Sequence, residues 1–309
     1  MAVAALLGGG YAAMNWSAWK ASGAVRELRA AATDEARTAA AVKLVALGET
    51  GTPAVIDVLK SSDAAGCAAV VAALRELPAT EPAFAARFRA LLPHADSFSD
   101  AGKDALLDVV PDLLKCPDAE VSGHAAAVVK GGLSAASPDA KVHAVALASL
   151  PEINLKAEVV PLLNDPQPQV RGAAMAAVGP ACAPVVIGDE ELFHWLNDAD
   201  LIVQARCESA LLTRGMDGDQ IAAARRLAHP DAAERLKLLV DLRYGRDGLR
   251  DPGPWLERLS RDADPAVRAG AARTAVECRL TFLGWLDKLC TDDPDGTVRQ
   301  VAGLKAEVF

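Results

Sequence analysis

At 309 residues, 51% hydrophobic but only 4% aromatic, the chain is too apolar to be disordered, and its Ala, Val and Leu content suits close-packed helices rather than a bulky aromatic core. The formal net charge of −9 disfavours generic nucleic-acid binding, which needs a basic excess to neutralise phosphates. Six scattered cysteines without a Cys-x-x-Cys pair point to reduced structural thiols and a reducing compartment, not to a disulfide framework.

The N-terminus carries no charge between Met1 and Trp19, and Met1 to Met14 is apolar or glycine. Trp16, Trp19 and Lys20 then stand where a membrane boundary would be. A spanning helix needs about 20 apolar residues, and Gly8, Gly9 and Gly10 weaken this one. Residues 1–31 are therefore expected to be an apolar segment and capping helix. The alternative is a membrane anchor, or the remnant of one, with the rest of the chain held in the cytoplasm by Lys20, Arg26 and Arg29.

From residue 32 to 309 the chain reads as helix pairs. Asp34 to Leu47 ends at Gly48, and Thr52-Pro53 opens a second helix with proline in its first turn, where no N–H is needed. Asp63 to Leu77 pairs with Glu81 to Leu92, Asp100 to Leu114 with Asp118 to Lys130, and Pro138 to Leu150 with Ala157 to Leu163. The frame is clearest in Asp165-Pro166-Gln167-Pro168-Gln169-Val170-Arg171, a turn feeding an Ala-rich amphipathic run. It returns at Asp198, Val203 and Gln204, at Asp262, Val267 and Arg268, and at Asp293, Val298 and Arg299. Equivalent first-helix positions are Arg37, Cys67, Lys103, His143, Arg171, Gln204, Arg235, Arg268 and Arg299, spaced by 28 to 40 residues. A fixed period of this size means one supersecondary unit stacked on copies of itself.

The turn Asp followed by Val-Arg and Ala-x-x-Ala, with Ala46-Leu47-Gly48-Glu49-Thr50-Gly51-Thr52-Pro53-Ala54-Val55, resembles the HEAT-repeat family, in particular the short bacterial HEAT-like repeats also found in phycobilin lyases. The resemblance covers residues 34 to 307. It implies an all-α, right-handed α-solenoid (superhelix) of about eight helix pairs with terminal capping helices. It also implies an inter-repeat ladder made by Asp165 and Arg171, Asp262 and Arg268, and Asp293 and Arg299, interrupted where Gln204, His143 and Lys103 replace Arg.

Chemistry is sparse. No two of the five histidines stand at metal-ligand spacing on a helix, and no His-Glu dipeptide occurs, so the di-iron chemistry of HEAT-repeat hydroxylases is not expected. No nucleophile elbow, P-loop or dinucleotide fingerprint occurs either. The chain therefore reads as a non-enzyme without metal or cofactor. Asp189-Glu190-Glu191, beside His194 and Trp195, reads as the acidic start of a short helix with Trp195 packed inward.

The charge is uneven: residues 1 to 200 carry 15 basic and 24 acidic side chains, but residues 201 to 275 carry 13 and 11. Arg225, Arg226, Arg258 and Arg261 lie on successive second helices, and Tyr244, Arg246 and Trp255 sit in or beside the long connection from Arg243 to Trp255. Arginine and aromatics are enriched at binding hot spots. These seven residues, within the stretch 219 to 261, form the expected partner-binding surface on the concave side of a cytoplasmic protein-binding scaffold. The expected ligand is a protein or acidic peptide segment. The alternative is a nucleic-acid-interacting protein resembling the HEAT-like DNA glycosylases, using the same arginines as a groove.

Overall fold

A computed structural model of the chain describes residues 18–61, 63–181, 185–245, 249, 251–280 and 283–304. Met1 to Met14, Cys182 and Arg246 lie outside the described residues. All regular structure described is helical, with no strand. The chain divides into two compact units, one through Ala177 and one from Val178.

In the N-terminal unit, α1 (residues 18–30) precedes α2 (Asp34–Ala46), α3 (Thr52–Leu59), α4 (Ala64–Arg75), α5 (Pro82–Leu91), α6 (Asp100–Leu107), α7 (Val110–Lys115), α8 (Ala119–Gly123), α9 (Ala125–Leu133), α10 (Pro138–Ala148) and α11 (Lys156–Val159). α12 (Pro168–Val178) follows. First helices stack in order, α2 on α4, α4 on α6 and α6 on α10, and α9 packs between α6 and α10 as a second helix. The apolar stripe thus meets a neighbour on both sides, which a lone helix pair could not provide. Phe84, Phe88, Leu44, Leu59, Leu74 and Leu106 are fully buried in it, and truncating any such side chain to Ala costs about 2–5 kcal/mol.

Three expected helices are shorter than the periodicity implies. Asp100 to Leu114 breaks into α6 and α7 because Pro111, in the first turn of α7, has no N–H to continue the ladder. Likewise Pro161 turns the segment after Val159 into a 3₁₀ stretch, Val160–Asn164. Asp118 to Lys130 divides at His124, whose Nδ1 lies 2.7 Å from the Glu120 carbonyl oxygen. Backbones approach closely at Gly102, where an added Cβ would stand 2.1 Å from the Leu59 carbonyl oxygen. That same carbonyl accepts from the Ser99 N–H and hydroxyl, at 3.1 Å each.

The C-terminal unit contains α13 (Asp189–Leu192), α14 (Leu201–Thr213), α15 (Gly218–Leu227), α16 (Ala232–Tyr244), α17 (Gly253–Leu259), α18 (Pro265–Glu277), α19 (Gly284–Asp292) and α20 (Gly296–Gly303). Each first helix starts on an aspartate whose Oδ1 accepts backbone N–H groups of the first turn: Asp200, Asp231, Asp264 and Asp295. These caps satisfy donors that a helix cannot satisfy itself. α16 ends at Gly245, whose φ of 57° is the left-handed conformation that glycine adopts freely. α16 packs on α18 and α18 on α20, whereas α14 and α16 make no comparable contact.

Candidate functional site

The ladder is built from two acids and one base per turn. In Asp262-Ala263-Asp264, the Asp262 Oδ1 accepts the Asp264 N–H at 2.8 Å and so fixes the turn, while Asp264 caps the helix. Six residues after Asp262, Arg268 donates Nη1 back to the Asp262 carbonyl at 2.8 Å and to Ala263 at 3.1 Å. Its Nε and Nη2 reach forward to Asp293 of the next repeat, at 2.8 and 3.0 Å. Arg235 does the same, holding the His229 and Pro230 carbonyls behind it and Asp262 ahead at 2.7 and 2.9 Å. Bidentate guanidinium–carboxylate pairs are the strong, directional kind.

The arginine's donors are therefore divided between two repeats. Within a repeat the arginine holds the backbone carbonyl of the turn aspartate, as Arg171 holds Asp165 at 2.9 Å and Arg299 holds Asp293 at 2.5 Å. The carboxylate belongs to the arginine one repeat earlier, because the forward half of the fork points along the stack. Arg235 is a ladder residue that the sequence reading left out. At Asp165 the base is Lys141, Nζ to Oδ2 2.6 Å, not His143: the helix starts at Ser137, and the base stands four residues after the cap. The rung expected to be interrupted there is present. Burial pushes the Asp165 carboxyl up, but the Lys141 ammonium and the Gln167 N–H outweigh it and hold the group below the usual range. For Asp293, the Arg268 hydrogen bonds are the largest effect and do the same.

One rung of the C-terminal unit has lost both partners. Gln204 stands where the arginine would be, and His229 stands where the next aspartate would be, six residues before Arg235. Gln204 keeps the backward half of the role, Nε2 to the Asp198 carbonyl at 2.6 Å. His229 keeps the turn, its Nδ1 accepting the Asp231 N–H at 3.1 Å. The forward grip is gone, and here α14 and α16 stand apart. An open cleft of about 580 Å³ occupies the gap, lined by Glu208 and Leu212 of α14, Ile221, Ala222, Arg225 and Arg226 of α15, and Glu234 of α16, with His229 and Asn197 beside them.

The expected binding arginines are distributed over three places. Arg225 and Arg226 line this cleft; Arg225 bonds Gln204 Oε1 at 3.0 Å and pairs with Glu208, while Arg226 pairs with the buried Asp241. Arg258 lies 5.3 Å from the centre of the Trp255 ring and 5.6 Å from that of Phe193, and pairs with Glu190 at 2.7 Å. Phe193 and Trp255 stack at 6.2 Å, so Trp255 is a buried anchor of α17 and presents no surface ring. Arg261, two residues past the end of α17, pairs with Glu257 of that helix, beside a separate groove with Trp285 and Lys288. Tyr244 stands out at the end of α16, 77% exposed. The acids neutralise all four arginines locally, and the cleft at the absent rung, with Leu212 54% exposed on its wall, is what the sequence did not reveal.

Other reactive groups are quiet. Burial pushes the Cys207 thiol up to about 12, and its Sγ donates to the Leu192 carbonyl at 3.2 Å. Asp189 to Leu192 forms the short helix expected, with Trp195 buried after it. Among the described residues, no group of three or more His, Cys, Asp or Glu side chains could hold a metal ion, and no helix is long and apolar enough to cross a membrane.

Comparison with known proteins finds no matching family model and no match among curated proteins. Among solved structures, an engineered protein is similar at 18% identity and a TM-score of 0.28, over 94% of this chain and 98% of its own. Human deoxyhypusine hydroxylase in complex with glycerol is similar at 16% identity and a TM-score of 0.24, over 94% and 96%. Likeness at this level assigns no activity to this chain.

Proposed function

We propose that the chain is a non-catalytic scaffold of HEAT-like repeats that binds another protein through residues 219–261 and the helix facing them. The observation carrying this reading is the open cleft between α14, α15 and α16, which sets an exposed Leu212 beside two arginines. Apolar surface next to guanidinium groups is the composition of interface hot spots. The ligand is a protein or acidic peptide segment, and the free thiols, with Cys67, Cys116 and Cys207 buried, suit work in a reducing cytoplasm. A pull-down with the full chain tests it. One stoichiometric protein should be retained, and it should be lost with Leu212→Glu/Arg225→Glu while the far-ultraviolet spectrum stays helical. Recovery of no stoichiometric protein, or of one indifferent to that variant, would sink the reading.

A further inference from the structure

We infer that the cleft at the absent rung is a recognition site for an acidic side chain of an extended peptide segment, received on Arg225 in exchange for Glu208. The inference rests on the binding reading above and names its ligand chemistry. Its first support is that, within the C-terminal unit, the cleft coincides with a specific replacement. Where arginine and aspartate occupy the two positions, as in Arg235–Asp262 and Arg268–Asp293, the first helices close side by side; where Gln204 and His229 occupy them, they do not.

The second support is the unequal hold on the two arginines. Arg226 is tied to Asp241, whose side chain is only 10% exposed, and removing a partner from a buried carboxylate is costly, so this pair stays and fixes α15 to α16. Arg225 is tied to Glu208, whose side chain is 42% exposed and returns to water with little loss. A guanidinium carries five N–H donors, and a carboxylate takes two at once. An incoming Asp or Glu therefore finds in Arg225 a donor already oriented by Gln204 Oε1, and must compete only with a half-solvated glutamate. Glu234, the other acid on the wall, is held by Lys237 at 2.5 Å and does not compete for Arg225.

The third support is the apolar wall. Leu212, Ile221 and Ala222 face the same space and offer a place for an apolar side chain next to the acid. The ligand is thus a segment alternating acidic and apolar residues, bound by a polar clamp and an apolar contact together.

The test uses the full chain and fluorescence anisotropy with a fluorescein-labelled, end-capped (Glu-Leu)4 peptide, beside (Gln-Leu)4. The Glu peptide should bind roughly tenfold more tightly, the ratio expected for one charge-assisted hydrogen-bonded pair. Arg225→Gln should remove that difference. Glu208→Gln should tighten Glu-peptide binding, because it deletes the internal competitor; a purely structural pair would give the opposite sign. Gln204→Arg/His229→Asp, which restores the rung, should weaken binding by closing α14 on α16. Equal binding of both peptides, no binding of either, weaker binding with Glu208→Gln, or equal competition by a single-stranded oligonucleotide overturns the inference. A pulled-down partner that ignores Arg225→Gln and Glu208→Gln would overturn it too, and would leave the scaffold reading standing.

Discussion

Between α16 and α18, and again between α18 and α20, a guanidinium grips a buried carboxylate of the next repeat; between α14 and α16 the corresponding positions hold Gln204 and His229. The repeat units share an aspartate cap and a backbone carbonyl held from six residues on, and a buried valine follows the cap in α14, α18 and α20, whereas Glu234 takes that place in α16. The difference shows that the turn and the stack are separable. The backward half of the ladder builds the turn and survives in Gln204, whereas the forward half, in the C-terminal unit, ties α16 to α18 and α18 to α20; in the N-terminal unit α2, α4 and α6 stack on apolar contacts without it. In the C-terminal unit closure differs from one junction to the next, as expected where each repeat contacts only its neighbours.

The largest test of this contrast is Arg268→Ala. Both partners are buried, with side chains 12% and 3% exposed, so removing the base strands a carboxylate and should cost about 3–5 kcal/mol. Because coupling runs between neighbours, amide exchange in α20 should accelerate before that in α16. The acid dependence follows with a definite sign. Asp293 is held below its ordinary carboxyl range by Arg268, so the stabilisation is complete above the unfolded value of about 3.9 and is lost as pH falls through the lower folded value. Wild type should therefore lose midpoint stability in that acid window, and Arg268→Ala should lose less.

A smaller contrast lies in two glycines. In the closed junction, a Cβ on Gly270 would stand 2.4 Å from Leu239 Cδ1, so Gly270→Ala forces Leu239 to shift and should cost about 1–3 kcal/mol. At the open cleft nothing lies within 4 Å of a Cβ on Gly218. Gly218→Ala should then raise stability by up to about 1 kcal/mol, read as a higher urea midpoint, through the smaller entropy of the unfolded chain. Opposite signs would support the two junctions as closed and open; equal costs would count against it.

The sequence carries the turn because the turn is local: Asp262, Asp264 and Arg268 lie within seven residues, and their spacing is visible without a structure. The forward partner is not local. Whether Arg268 reaches the carboxylate of Asp262 or of Asp293 depends on how repeats are stacked, so the sequence named the residues of the ladder without assigning the pairs. The break at Pro111 was readable from proline chemistry, but the apolar period runs through it and masks it. The cleft left half a signal, since the loss of arginine at Gln204 is visible alone. Its match, histidine at 229 in the aspartate position, becomes visible only when the frame is counted back six residues from Arg235. Four arginines on successive second helices suggested one basic wall, yet the partners of three of them, Glu208, Asp241 and Glu190, come from other elements that periodicity could not align with them; only the Arg261–Glu257 pair is local.

The finest comparison is between adjacent arginines of the cleft itself. Arg226→Gln leaves Asp241 without its guanidinium in a buried position and loosens α15 from α16, so it should lower stability by about 1–3 kcal/mol. Arg225→Gln removes a pair whose two side chains are 34% and 42% exposed, and an amide can still bond Gln204. Its cost should stay below about 1 kcal/mol and shrink further in high salt, as for other half-solvated pairs. Urea midpoints measured in low and high salt would separate the two. If Arg225→Gln proves as costly as Arg226→Gln, Glu208 is a fixed strut, and the cleft is held shut to ligands by its own wall.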